Sequence, residues 1–213
     1  MQQLGASKPA NGGRKESAMS FVRVWFTGYY SPGRMIEQLR SKPAPHWGFY
    51  GQFLRAVFDS LLLYLPLALM GRIPPTPSNI SLLPTAQYYW HLIWLSPIIL
   101  GAEWLLPSAF THVVLKLTGR RSDFDQILNI VGMGTIVVGA FILVWDWIWI
   151  SLGGVDQYFL GFSHLAISLW GIAIETIGLK RILGVPTWLG ALLSLLSIPI
   201  ALPFGIMFMR SPL

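Results

Sequence analysis

From Phe124 to Ile150 the chain carries only two charged residues, Asp125 and Asp146, and the run GTIVVGAFILVW within it carries none. About 20 mainly apolar residues, rising about 1.5 Å each, cross the roughly 30 Å hydrocarbon core of a bilayer. Barrel strands would alternate apolar and polar residues, and this run does not, so it reads as a helix. Four more stretches qualify: Phe49 to Met70, Tyr88 to Leu115, Tyr158 to Ile177 and Val185 to Met209. The expected fold is all-α, a polytopic integral membrane bundle of five transmembrane helices.

Composition agrees. Only 11% of the 213 residues are charged and 54% are hydrophobic, whereas a soluble domain carries about 25% charged residues. Ten tryptophans and fifteen prolines suit interfacial aromatics and broken helices. No cysteine is present, which excludes disulfide frameworks and thiolate metal sites. The first residues, MQQLGASKPANGGRKESAMS, lack an apolar signal core, so residues 1–19 are expected to be a retained, disordered tail. Residues 20–46 form a basic cytoplasmic or interfacial lead-in, and residues 47–213 the membrane domain.

Lysine and arginine set the orientation. Lys8, Arg14, Lys15, Arg23, Arg34, Arg40 and Lys42 precede the first span; Lys116, Arg120 and Arg121 lie in the second connection, and Lys180 and Arg181 in the fourth. The other side holds only Arg72 and Arg210. The positive-inside rule then puts the N-terminus in the cytoplasm and the C-terminus outside. The net charge of +6 is mainly this topology signal, and no folded basic domain suggests nucleic acid.

The second connection, HVVLKLTGRRSDFDQILNIVG, reads as a helix-turn-helix corner. Gly119 suits the left-handed residue that ends a helix, Ser122 suits the next N-cap, and Asp123 and Asp125 suit the positive end of that helix dipole. Together with AFTHVVLKLTGRRSDFDQILNIVG, the segment LWGIAIETIGLKRILGVPTWLGALLSLLSIPI and the lead-in SPGRMIEQLRSKPAP, with Ser31 as cap and Pro32 as first helical residue, it resembles the Yip1-domain family, in particular its short bacterial members. The resemblance covers roughly Tyr30 to Pro203. It implies five spans and a non-enzymatic, membrane-organising or trafficking adaptor that acts by binding protein and lipid. In a bacterial member the location would be the cytoplasmic (inner) membrane, in a eukaryotic one the ER or Golgi. The Asp-Leu-Tyr-Gly-Pro motif of eukaryotic members is missing, and Gly132 is followed by Met133 rather than tyrosine, so GTPase binding is not carried over.

Any chemistry belongs to polar residues inside the spans, where a charge costs about 2.5 kcal/mol or more. Thr135, Gly139, Ile142 and Asp146 fall on one helical stripe, and His164, Ser168, Gly171 and Glu175 repeat its spacing. Small residues on both stripes allow the helices to approach as antiparallel neighbours, bringing Asp146 to His164. Arg55 and Asp59 form an i,i+4 pair near the cytoplasmic side, with Arg55 also able to snorkel to the headgroups. His112 and Glu175 are expected at comparable depth. Glu103 precedes Pro107 by four residues, so a carboxylate coincides with a carbonyl deprived of its helical N–H partner. Each cluster is read first as structural polar glue and second as an ion or ligand site.

No phosphate-binding loop, H-E-x-x-H or G-x-S-x-G motif occurs. His46, His91, His112 and His164 lack metal-ligand spacing, so neither an enzyme nor a cofactor is expected. The expected partners are the lipid bilayer and a membrane-protein partner or second copy. The alternative to an adaptor is a proton- or ion-coupled small-solute transporter or channel that uses the intramembrane acids. Asn79-Ile80-Ser81 is a glycosylation triplet on the outer side.

Overall fold

The computed structural model describes residues 20–40, 46–74, 83–153 and 157–208, and side chains at 157 and 205–208 are outside that description. The expected tail, the Asn79 triplet and the basic residues Lys8, Arg14, Lys15, Lys42 and Arg210 therefore lie outside the described residues. All regular elements among the described residues are helical.

Two short helices, α1 (Phe21–Tyr30) and α2 (Pro32–Arg40), lead into α3 (His46–Phe58). α3 continues through a π-helical turn, Asp59–Tyr64, into α4 (Leu65–Leu69). After a 3-10 turn, Thr85–Gln87, come α5 (Tyr88–Leu117), α6 (Phe124–Ser151), α7 (Gln157–Leu183) and α8 (Thr187–Phe208). Five segments are long and apolar enough to cross a membrane: His46–Leu69, Thr85–Leu117, Phe124–Ser151, Tyr158–Leu183 and Thr187–Phe204. Each overlaps one expected span, and the chain is an all-helical bundle of integral-membrane character.

The corner after α5 ends as the sequence predicts. Gly119 has φ +67°, and Arg120 N donates to Leu115 O at 2.9 Å while Gly119 N donates to Lys116 O at 3.1 Å. This paired closure satisfies carbonyls that a helix end leaves open. The start of α6 corrects the expectation: Asp123, not Ser122, is the N-cap, its carboxylate accepting from Gln126 N at 3.2 Å. Ser122 instead shares a 2.8 Å hydrogen bond with His112 Nδ1.

The π turn has a local cause. Pro66 has no N–H, so the Leu62 carbonyl loses its α-helical partner, and Trp147 Nε1 on α6 donates to that carbonyl at 2.7 Å. α5 runs on through Pro97 and Pro107, so the Glu103 carbonyl cannot accept from residue 107.

α6 is the axis of the bundle, with 72% of its most apolar stretch buried against 11% for α7. α3 and α6 run parallel with their backbones in contact. A Cβ at Gly48 would overlap the Leu128 carbonyl and Asn129 Cα, and one at Gly132 would overlap the Gly48 carbonyl. Asn129 Oδ1 accepts from Gly48 N at 2.8 Å, satisfying one of the open N–H groups of the first turn of α3. α7 returns antiparallel to α6, with Gly171 facing Val138 and Ile174 facing Gly134. α8 packs on α7 and α5, and α5 on α3. α3, α5 and α7 thus all pack on α6, and α8 closes across α5 and α7.

α1 and α2 belong to this core. Val24, Met35, Ile36 and Leu39 are buried with Ile127, Ile130 and Val137 of α6 and Leu179 and Leu183 of α7. Trp25 Nε1 donates to the Tyr29 hydroxyl at 3.1 Å.

Candidate functional site

Between the spans lies a cavity of about 610 Å³, lined from all five of them, within the roughly 300–1,000 Å³ of small-molecule sites. α3 and its π turn contribute Gln52, Arg55 and Asp59, and α5 contributes Glu103, Trp104 and Pro107. All eight residues of the two expected stripes, Thr135, Gly139, Ile142 and Asp146 of α6 and His164, Ser168, Gly171 and Glu175 of α7, line it too.

Asp146 and His164 meet as expected, with Oδ1 and Nε2 2.7 Å apart. Asp146 is 4% exposed. Antiparallel packing of α6 and α7 fixes this pair, and Trp145 Nε1 donates to Ser163 Oγ at 2.7 Å beside it.

Gly139 plays a different part from the expected one. Its missing side chain makes room for Arg55 of α3, whose guanidinium donates to the Gly139 carbonyl. Arg55 Nη1 also lies 2.9 Å from Asp59 Oδ1. That oxygen has no aligned hydrogen bond, so the contact with Asp59 is a charge pair. Arg55 and Asp59 are 8% and 1% exposed. Arg55 therefore does not snorkel: it is held midway along α6 rather than near either end of that helix, since a guanidinium with a carboxylate and a carbonyl beside it gains nothing from reaching headgroups.

The remaining acids have no such arrangement. Among the described residues no lysine, arginine or histidine nitrogen lies within 4.0 Å of Glu103 or Glu175. Glu175 has the Ser194 hydroxyl of α8 as its polar neighbour. Arg55 is paired with Asp59, as their i,i+4 spacing suggests, and not with Glu103. His112 stands apart from the cavity: its ring is edge-on to Phe124 at 5.5 Å and bonded to Ser122, whereas Glu175 lies abreast of Gly134. The expected common depth of His112 and Glu175 is not found, because His112 is taken up by the corner between α5 and α6.

Gln52 is a cavity residue that the sequence reading missed. Its Nε2 donates to the Leu100 carbonyl of α5 at 2.6 Å and its buried Oε1 has no hydrogen-bond partner; the residue lines the cavity together with Glu103, one turn beyond Leu100. The signal was available: Gly48, Gln52, Arg55 and Asp59 share one face of α3 by helical spacing. No group of three or more His, Asp or Glu suited to a metal occurs among the described residues.

No family model, curated protein or solved structure matches this chain. These comparisons give the Yip1-domain resemblance no support, and the cavity is interpreted from its own chemistry.

Proposed function

We propose that the chain is a proton- or ion-coupled transporter or channel for a small cationic solute. One observation carries this reading: four carboxyl groups, Asp59, Glu103, Asp146 and Glu175, share a cavity whose only basic groups among the described residues, Arg55 and His164, each contact one of them already. Carboxylates in a low-dielectric space must be protonated or matched by a cation. Glu103 and Glu175 can thus exchange a proton for a bound cation, and the unpaired Gln52 Oε1 adds a neutral acceptor. The adaptor reading draws on motif resemblance alone and leaves an acidic cavity of this size without a role.

In this reading the N-terminus is cytoplasmic and the C-terminus is outside, on the strength of the Lys and Arg distribution. Single cysteines at Ser122 and Ser151, at opposite ends of α6, should label from the inside and the outside respectively. Labelling of both from one side would exclude a membrane-crossing α6.

The functional test uses liposomes containing the purified protein and an internal pH dye, challenged with sodium, potassium or methylammonium. Entry of at least one cation should move the internal pH, and Glu103→Gln should abolish the response without altering thermal unfolding. A folded wild-type protein that moves the dye with none of the three would reject cation-coupled proton exchange.

A further inference from the structure

The lead-in helix α1 runs alongside α3 and α6 rather than across their ends. Its first residue, Phe21, has its ring 5.7 Å from that of Trp47 and 6.3 Å from that of Tyr50, at the start of α3. One turn later Trp25 is 6.1 Å from Phe58, the last residue of α3. Gly28 then packs directly against Val137, midway along α6. α1 therefore points the same way as α3 and α6 and ends abreast of the middle of a helix long enough to span the bilayer.

The chain turns back at once. Ser31 N donates to Thr27 O at 2.8 Å, and the Ser31 carbonyl accepts from Arg34 N and Met35 N at 2.9 and 3.1 Å, so a single residue joins α1 to α2. Met35 comes back against Gly28. The return is anchored by Arg181 in the last turn of α7, which donates to the Gly33 carbonyl at 3.0 Å.

The exposed face of α1 is built for hydrocarbon. Val22, Phe26 and Tyr30 are 54%, 53% and 73% exposed. The side-chain polar groups from Trp25 to Tyr30 are satisfied within the helix: Thr27 Oγ1 donates to Arg23 O at 2.8 Å and shares a 3.3 Å hydrogen bond with the Tyr30 hydroxyl, and Trp25 bonds Tyr29. Internal satisfaction is the condition a bilayer imposes on polar groups. α2 has the opposite character, exposing Arg34, Glu37 and Arg40, with Glu37 and Arg40 3.5 Å apart. Its first turn is met by the reach of the Arg181 side chain, and Arg34 and Arg40 can extend toward the headgroups as the limb returns.

We infer that α1 and α2 form a re-entrant hairpin: α1 enters the leaflet on the side where α3 and α6 begin, reaches about mid-bilayer, and returns through α2, with the Val22, Phe26 and Tyr30 face against lipid acyl chains. This corrects the picture of a lead-in lying wholly on the membrane surface and does not depend on what the cavity carries. A bound lipid chain, not a protein, is the neighbour of this face.

The native chain has no cysteine, so single nitroxides can be attached after Phe26→Cys, Tyr30→Cys, Glu37→Cys and Phe141→Cys in the full chain, in phosphatidylcholine and phosphatidylglycerol nanodiscs. Phe141 is 57% exposed on α6 and gives the reading for a lipid-facing site. Labels at Phe26 and Tyr30 should match it, colliding freely with oxygen and little with a water-soluble nickel chelate, with Tyr30 deeper than Phe26. The Glu37 label should be open to nickel. All four positions are exposed, and an unchanged melting temperature checks that each labelled variant is folded. Nickel access at Phe26 and Tyr30 equal to that at Glu37 overturns the hairpin. Shielding of both labels from oxygen and nickel also overturns it, since a second protein copy then covers the face.

Discussion

Gly132→Ala is expected to destabilise the protein by about 3 kcal/mol, the upper part of the range for overpacking, while Gly101→Ala should be neutral or stabilising by up to about 1 kcal/mol. The two glycines both lie inside long helices and differ in what a methyl group would meet. At Gly132 it would overlap the backbone carbonyl of Gly48, and at Gly101 nothing lies within 4 Å. A side chain can rotate away from a methyl group, but a helix backbone must move as a unit, so α3 would separate from α6. That movement would also stretch the Asn129 to Gly48 hydrogen bond and withdraw Arg55 from Gly139. Thermal unfolding in mild detergent compares the two variants directly. Equal melting temperatures would show that the α3 and α6 backbones are not in contact.

Arg55→Met should cost about 3–5 kcal/mol, because it leaves the Asp59 carboxylate buried without its cation. The Gly139 carbonyl loses its donor in the same step. The lost charge balance is the larger effect, so Arg55→Met combined with Asp59→Asn should recover most of the stability, since a neutral amide tolerates burial far better than an unpaired carboxylate. Asp59→Asn alone should leave the guanidinium with only the Gly139 carbonyl and fall between the two. Unfolding midpoints of the four proteins form a double-mutant cycle. A double variant no more stable than Arg55→Met would mean that Arg55 acts through packing on Gly139 and not through its charge.

Several features of the site were legible before the fold. The stripes on α6 and α7 repeat a small or polar residue at helical spacing, and antiparallel order follows from a short connection, so the contact between Asp146 and His164 could be read from positions alone. Gly119 was legible because a left-handed helix terminus has few other solutions. Gly139 was assigned to the wrong neighbour: spacing shows which residues share a face, but a glycine accepts a partner from either adjacent helix, and here Arg55 of α3 reached it. His112 was misplaced for a similar reason. Its depth along α5 is consistent with a network, yet Ser122 and Phe124 at the corner were nearer in space than Glu175.

By itself the sequence determined the class and the segmentation. The transfer energy of each apolar run depends on its own residues, so five helices, their approximate ends and the cost of every charge within them followed without tertiary information. Which helix stands at the centre depended on backbone approach, and only the structure revealed that Gly48 and Gly132 bring α3 into contact with α6. The pairing of Arg55 with Asp59 followed from their i,i+4 spacing, but its burial against the Gly139 carbonyl of α6 was a tertiary matter. The placement of α1 along α6 was hidden for the same physical reason: a ten-residue helix is too short to announce a span, and its depth is set by the surface it packs against.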